Sequence, residues 1–146
     1  MIFNSFQRED DDAVFTIVRN VSAAARGAGD AVVWDVSSTV DGVRVSIPAT
    51  ATLSAFRGVI AEAIPDSGYG KCQIHGYNSY TRVANNYTTA LVAGHILIPV
   101  NAQTYLGFGG ASDGKSGFVV SADTYATGTV TTNPDVTTKK VLIRAM

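Results

Sequence analysis

The feature that most constrains this chain is its series of short apolar runs, each closed within a few residues by a turn signal. The clearest run is at residues 43–47, where Val43, Val45 and Ile47 alternate with polar residues directly after Asp41-Gly42. An alternating run after such a dipeptide is typical of a strand that follows a hairpin turn. Comparable runs lie at residues 13–18, 32–36, 71–77, 96–100, 104–108, 118–122, 127–132 and 141–145. We therefore predict an all-β fold, an antiparallel β-sandwich or barrel of about nine or ten short strands.

Residues 52–64 are ambiguous between helix and strand. Their apolar residues recur at spacings of three and four, as on one face of a helix, but Phe56, Gly58 and Ile60 also alternate as in a strand. Glycine is unfavourable inside a helix. We favour a strand here and leave the helix open.

The segment from residue 71 to residue 90 divides into two parts. In residues 71–77, Cys72 and Ile74 would face one way and Gln73 and His75 the other, which predicts a half-exposed strand. Residues 78–90 are rich in Asn, Thr, Tyr and Ser, a composition that favours an exposed loop or ribbon.

The chain has 146 residues and is 46% hydrophobic, enough for one packed core but not for two ordinary domains. We predict an extended N-terminal arm at residues 1–12 and a single β domain at residues 13–146. The arm has neither the basic start nor the apolar stretch of a signal peptide, and no apolar run approaches the ~20 residues of a membrane span. A frayed, solvated tail is the alternative for the arm.

Charge and cysteine content exclude several classes of function. The net charge of −1 offers no basic face for a phosphate backbone, so we expect no nucleic-acid partner, and we also expect no membrane partner. The single cysteine, Cys72, cannot form an internal disulfide.

The sharpest match to a catalytic motif is at residues 109–116, which fit the phosphate-loop pattern G-x-x-x-x-G-K-[ST]. That loop works because its amides lead into a helix N-terminus facing the phosphates. Here Gly117 follows, and then the β-forming Val119 and Val120, so the helix is missing. We predict no nucleotide binding.

Other candidate sites also lack the chemistry they need. Cys72 and His75 would lie on opposite faces of a strand and could not share a metal ion. The acidic run of the arm, Glu9-Asp10-Asp11-Asp12, lacks the spacing and the glycine of a calcium loop. No serine lies in a nucleophile elbow. We therefore predict no catalytic residue, no metal and no cofactor, and a protein that is not an enzyme.

Between residues 14 and 100, strand and glycine-turn segments follow one another in a characteristic order. They are Phe15-Thr16-Ile17-Val18-Arg19-Asn20, Ala28-Gly29-Asp30-Ala31-Val32-Val33-Trp34-Asp35, Asp41-Gly42-Val43, Phe56-Arg57-Gly58-Val59, Gly68-Tyr69-Gly70-Lys71-Cys72-Gln73-Ile74-His75-Gly76-Tyr77 and Ala93-Gly94-His95-Ile96-Leu97. In this order they resemble the decoration, or cement, proteins that coat the capsids of tailed phages.

The resemblance implies a structural virion protein on the outer capsid surface, commonly a homotrimer, that binds the major capsid protein and stabilises contacts between its subunits. The arm suits this role because Ile2, Phe3 and Phe6 could order across a neighbour. Each would contribute about 1.5–3 kcal/mol when fully covered. We expect these three residues to contact the capsid or a neighbouring copy.

A different function also stays open. A carbohydrate- or receptor-binding β-sandwich of a virion or cell surface could use a tyrosine-rich face for sugar stacking, because aromatic rings with a polar tip suit such faces. The candidate residues lie in region 69–87 and are Tyr69, Tyr77, Tyr80 and Tyr87.

Overall fold

The computed structural model describes residues 13–37, 41–85, 90–108, 118–124 and 135–145. These residues form nine strands and one 3₁₀ helix (Thr50–Ala55), which confirms the all-β class. The strands are β1 (Val14–Asn20), β2 (Ala31–Trp34), β3 (Arg44–Ser46), β4 (Phe56–Ile60), β5 (Tyr69–Asn85), β6 (Ile96–Pro99), β7 (Leu106–Phe108), β8 (Val119–Ser121) and β9 (Asp135–Arg144). The predicted arm, with Ile2, Phe3 and Phe6, and the predicted strand at 127–132 lie outside the described residues.

Five strands close into a first barrel. Their order is β1-β3-β2-β4-β5, and a direct pairing of β1 with β5 completes the ring. The two runs on either side of Asp41-Gly42 pair antiparallel as β2 and β3, with Trp34 opposite Val45, as their pattern predicts. Closure of this kind leaves no unpaired sheet edge between first and last strand.

A second closed circuit of strands shares β5 with the first. It runs β5-β7-β6-β8-β9 and returns through the pairing of β9 with β5. The 17-residue β5 serves both rings, because its first half pairs with β1 and β4 and its second half with β7 and β9. The expected antiparallel pairing holds for most pairs, but it is wrong for β1–β3 and β5–β7, which are parallel.

The described residues form two apolar cores. The first core consists of Val18, Val32, Val45, Ile60, Ile64, Cys72 and Ile74. The second consists of Ala31, Phe56, Val59, Val83, Leu91, Leu97, Leu106, Val119, Val141, Ile143 and Ala145. Strands β2 and β4 contribute to both, since Val32 and Ile60 face the first core while their neighbours Ala31 and Val59 face the second. Alternation along these strands therefore joins the two barrels.

The ambiguous segment contains both a short helix and a strand. The 3₁₀ helix ends at Ala55, and Phe56 begins β4, so the strand preference is confirmed for residues 56–60. Gly58 has φ +155°, and a Cβ there would lie 2.2 Å from the main-chain oxygen of Gln73. Glycine is needed here because β4 and β5 approach closely.

The sequence predicts an exposed loop or ribbon for residues 78–90; up to residue 85 they form a strand, and the predicted exposure is wrong for Asn78, Thr81, Val83 and Ala84. Strand β5 continues to Asn85, and the side chains of Asn78 and Thr81 are buried. Gln73, predicted on the exposed face, is also buried. The physical reason is a bulge in β5, where these polar side chains bond to one another and to the main chain. Residues 86–89 lie outside the described ranges.

No helix within the described ranges combines the length and the hydropathy needed to cross a membrane.

Candidate binding surface

Strand β1 carries an exposed apolar strip, which we define as Val14, Phe15 and Ile17. These side chains are 39%, 47% and 54% exposed, whereas Val18 is fully buried in the first core. Ile17 faces outward because it alternates with Val18. Val14 and Phe15 are both exposed, and the pairing of β1 with β5 shifts register between them. Phe15 and Ile17, two residues apart on β1, project from the same face. Exposed large apolar side chains that share a face mark a site of protein interaction.

An open groove of about 550 Å³ lies beside this strip. Phe15 and Ile17 line one side, residues 61–62 line the other, and Lys71 and Tyr80 complete it. The groove is mainly apolar but carries one cation and one carboxylate. Such a lining can hold an apolar segment of a partner.

Two polar side chains of the groove, Glu62 and Tyr80, interact with other groups of the protein. The main-chain N–H of Lys71 donates to Oε1 of Glu62 at 3.2 Å. Burial raises the pKa of Tyr80 above its ordinary value, against the opposing effect of a hydrogen bond with Asn78. A phenol with a raised pKa stays protonated at neutral pH, so Tyr80 contributes a ring and a hydroxyl but no charge.

Tyr69 extends the exposed surface at the first residue of β5. It is 63% exposed and lies opposite Arg19 of β1, whose guanidinium carbon is 5.9 Å from the centre of the tyrosine ring. This cation–π contact holds the ring beside the strand.

A second apolar surface crosses the outside of the second barrel, and we call it the outer band. It consists of Tyr77, Leu142, Val120 and Ile96, which are direct cross-strand partners on β5, β9, β8 and β6. Directly paired residues project from the same face of a sheet. Leu142 is 41% exposed and the other three are half-buried. Their sequence neighbours Val141, Ile143, Val119 and Leu97 are buried in the core.

The tyrosines of the carbohydrate hypothesis are distributed over different surfaces. Tyr69 lies beside β1 of the first barrel, Tyr77 belongs to the outer band on the second, and Tyr80 lines the groove. Tyr87 lies outside the described residues.

The cysteine and the two histidines lie in different surroundings. Cys72 is fully buried in the first core, and burial raises the pKa of its thiol to about 12. His75 is half-buried on β5. The centre of the His95 ring lies 4.7 Å from the centre of the Phe108 ring. Nδ1 of His95 accepts a hydrogen bond from the main-chain N–H of Val92. Among the described residues no three His, Cys, Asp or Glu side chains are grouped so as to hold a metal ion.

The phosphate-loop string at residues 109–116 lies outside the described residues, but its flanks are described. Strand β7 ends at Phe108 before it, and β8 begins at Val119 after it. The prediction that a strand follows this string is confirmed.

The sequence predicted neither the strip nor the outer band as binding surfaces. A signal for the strip was present, because β1 is apolar at both odd and even positions and a barrel wall buries only one of its faces. The outer band gives no such signal, since its residues come from four strands far apart in the chain.

Comparison with known proteins adds no relative: no family model matches the chain, and no curated protein is significantly similar to it in sequence.

Proposed function

We propose that this chain is a structural virion protein that binds the outer capsid surface and stabilises contacts between major capsid subunits. The observation that carries the proposal is the apolar strip of Val14, Phe15 and Ile17, exposed at the point where the arm joins the first barrel. The strip and the arm together form the attachment face. In the arm, Ile2, Phe3 and Phe6 are the contact residues.

The energy available from this face suits a protein that acts in many copies. The three strip residues are about half exposed, so covering them contributes about 1 kcal/mol each, and each arm residue contributes about 1.5–3 kcal/mol. One copy alone would bind modestly. A homotrimer presents three linked faces, and linked sites raise overall affinity without any new contact.

The scaffold also supports a mechanical role. Strand β5 is bonded to β1 and β4 along its first half and to β7 and β9 along its second half. Separating the two barrels therefore requires one of two changes. Either the second half of β5 leaves its ring, or β2 and β4 lose their packing against the second core. A protein that holds capsid subunits together needs a fold of this kind, because a sheet without an unpaired edge transmits load without opening there.

The test is cosedimentation of the purified chain with undecorated capsids built from the major capsid protein of the same genome. The intact chain should bind at a fixed stoichiometry and raise the temperature at which the capsids break. Deleting residues 1–12, or substituting Ile17→Asp, should each lower occupancy at least tenfold. The matched control is Val36→Asp, at a position 59% exposed and outside the strip, which should bind normally. Absence of binding by the intact chain would overturn the proposal.

The oligomeric state is tested separately by analytical ultracentrifugation, where we expect a trimer. No described feature favours the carbohydrate-binding alternative, because a stacking platform needs several rings on one face. Tyr69 and Tyr77 lie on different barrels.

A further inference from the structure

We propose that β1 binds an extended segment of the major capsid protein as an added β-strand. The segment would bond the free edge of β1, by which we mean the main-chain groups of Phe15 and Ile17 that face away from β5. Its residues are apolar at alternate positions, so that they pack against the side chains of the strip. This inference rests on the proposed function, because it specifies how the attachment face holds its partner.

Strand β1 is longer than the part of it that closes the first ring. Only Arg19 and Asn20 pair with β3, so residues 14–18 extend past the end of that strand. The main-chain N–H of Arg19 donates to the main-chain oxygen of Val43 at 2.8 Å. The N–H of Val43 could continue this pairing along β1, but it donates instead to the carboxylate of Asp41 at 3.1 Å. The pairing of β1 with β3 therefore stops at this point.

The main-chain groups of Ile17 do not bond β5 either. Ile17 lies opposite Lys71, whose N–H donates to Glu62 and whose oxygen accepts from Ala61 at 2.9 Å, so both groups of Lys71 face the β4 side. Opposite residues of an antiparallel pair alternate between bonded and non-bonded, and the groups of a non-bonded residue point away from the partner strand. Ile17 and, two residues before it, Phe15 therefore present N–H and C=O groups to the free side of β1. No described residue bonds them there.

The side chains of this edge favour a strand as the occupant. Natural proteins often protect an exposed edge with a charge or a proline, and residues 13–18 contain neither. The register shift between Val14 and Phe15 leaves residues 15–18 as the regular part of the edge. A strand added there gains affinity from main-chain hydrogen bonds and specificity from alternate side chains, which would contact Phe15 and Ile17.

A second copy of β1 fits the edge less well than a separate segment does. If two β1 strands paired antiparallel about Thr16, Ala13 of the second copy would lie opposite Arg19. Arg44 of β3 already pairs with Arg19. A segment of another protein can end or turn opposite Val18 and avoids this conflict.

Hydrogen exchange of single amides tests the added strand directly. In the free protein, Phe15 and Ile17 should exchange at least tenfold faster than Thr16 and Val18, whose amides face β5. On decorated capsids, read by mass spectrometry with fragmentation, Phe15 and Ile17 should slow at least tenfold while Thr16 and Val18 stay unchanged. Unchanged exchange of Phe15 and Ile17 on the capsid would overturn the proposal. Slow exchange in the free protein would also overturn it, because the edge would already be covered.

Proline at position 17 provides a second test. Proline has no N–H, and the N–H of Ile17 faces the free edge, so Ile17→Pro should retain the bonds between β1 and β5. The matched control Ile17→Ala removes most of the side chain but keeps the N–H. Cosedimentation should show capsid occupancy at least tenfold lower for Ile17→Pro than for Ile17→Ala. Urea denaturation of both variants checks that they fold, and hydrogen exchange of the unaltered chain decides the matter if Ile17→Pro does not.

The two proposals fail in different ways. Intact chain that does not bind undecorated capsids would overturn both of them. Intact chain that binds, with equal occupancy for Ile17→Pro and Ile17→Ala, would overturn only the added strand. Attachment would then depend on side chains alone.

Discussion

Asn78 donates a hydrogen bond from its side-chain amide to the side-chain oxygen of Gln73, at 2.8 Å, inside the bulge of β5. Gln73 in turn donates to the main-chain oxygens of His75, at 3.1 Å, and Tyr77, at 2.7 Å. The side-chain oxygen of Asn78 accepts from the main-chain N–H of Tyr80. The two amides thus satisfy the main chain at the point where β5 passes from one barrel to the other.

We expect Asn78→Ala to lower the free energy of unfolding by about 2–4 kcal/mol, because it leaves buried groups of Gln73 and Tyr80 without a partner. Urea denaturation measures the change. The control is Ser79→Ala at the neighbouring exposed position, which should cost less than about 0.5 kcal/mol. Equal stability of the two variants would show that the network does not hold the bulge.

Gly58→Ala should destabilise the protein by about 3 kcal/mol or more, because the new methyl group would meet the main-chain oxygen of Gln73 at 2.2 Å and Sγ of Cys72 at 2.8 Å. Gly42→Ala is the matched control. Gly42 also has a positive φ, +78°, but a Cβ there would meet nothing within 4 Å. Only the backbone strain of about 1 kcal/mol is expected at this control. Thermal unfolding of both variants checks the difference, and similar losses would argue against close approach of β4 and β5.

The sequence predicted most of the strands because each is a local pattern. Alternation and the Asp41-Gly42 turn were sufficient for the pairing of β2 with β3. The pairing of β5 with both β1 and β9 could not be predicted in this way. Those strands are far from β5 in the chain, and no local pattern specifies a distant partner.

The error at residues 78–85 has a different cause. Asn78 and Thr81 belong to residue types that usually mark loops, since their side chains compete with regular main-chain hydrogen bonds. Here the same capacity satisfies a buried bulge, with the hydroxyl of Thr81 donating to Asn78 at 2.8 Å. Composition alone does not distinguish a solvated loop from a buried polar network. For the binding surface, the apolar arm was recognised because it is contiguous in sequence, whereas the outer band exists only after folding.

Cys72 should be unreactive in the folded protein. Burial raises the pKa of its thiol from an ordinary value near 9 to about 12, although the charge of Arg57 acts in the opposite direction. At pH 8 the thiolate fraction is lowered by roughly a factor of 1,000. Labelling with a thiol reagent should therefore be at least 100-fold slower than for Val92→Cys in a Cys72→Ala background. Rapid labelling under native conditions would contradict the burial.

The same raised pKa makes stability depend on alkaline pH. Below pH 9 the thiol is protonated in both folded and unfolded states, so it imposes no penalty. As the pH rises from 9 to 12, the unfolded state ionises first, and the contribution of Cys72 to stability is lost. Wild type should lose more free energy of unfolding over this range than Cys72→Ala, as measured by urea titration at each pH. Parallel pH profiles would exclude the effect.

Asn20→Asp tests the polar anchor at the end of β1. The side-chain amide of Asn20 is fully buried and donates to the main-chain oxygens of Ala24 at 2.8 Å, Pro65 at 3.2 Å and Ile64 at 3.3 Å. A carboxylate of the same shape would place an acceptor against three acceptors. We expect a loss of about 3–5 kcal/mol at pH 7.

The loss in this variant should depend on pH with a definite sign. Burial and the surrounding carbonyl oxygens would raise the pKa of the new carboxyl group in the folded state. The deficit is therefore smallest near pH 3, where a protonated Asp can still donate one hydrogen bond, and it grows as the pH rises towards 7. Chemical denaturation at both pH values checks this, with Asn101→Asp in an exposed turn as the control that should show little change. A deficit that did not change with pH would mean that the carboxyl group turns away from the three carbonyls and reaches solvent.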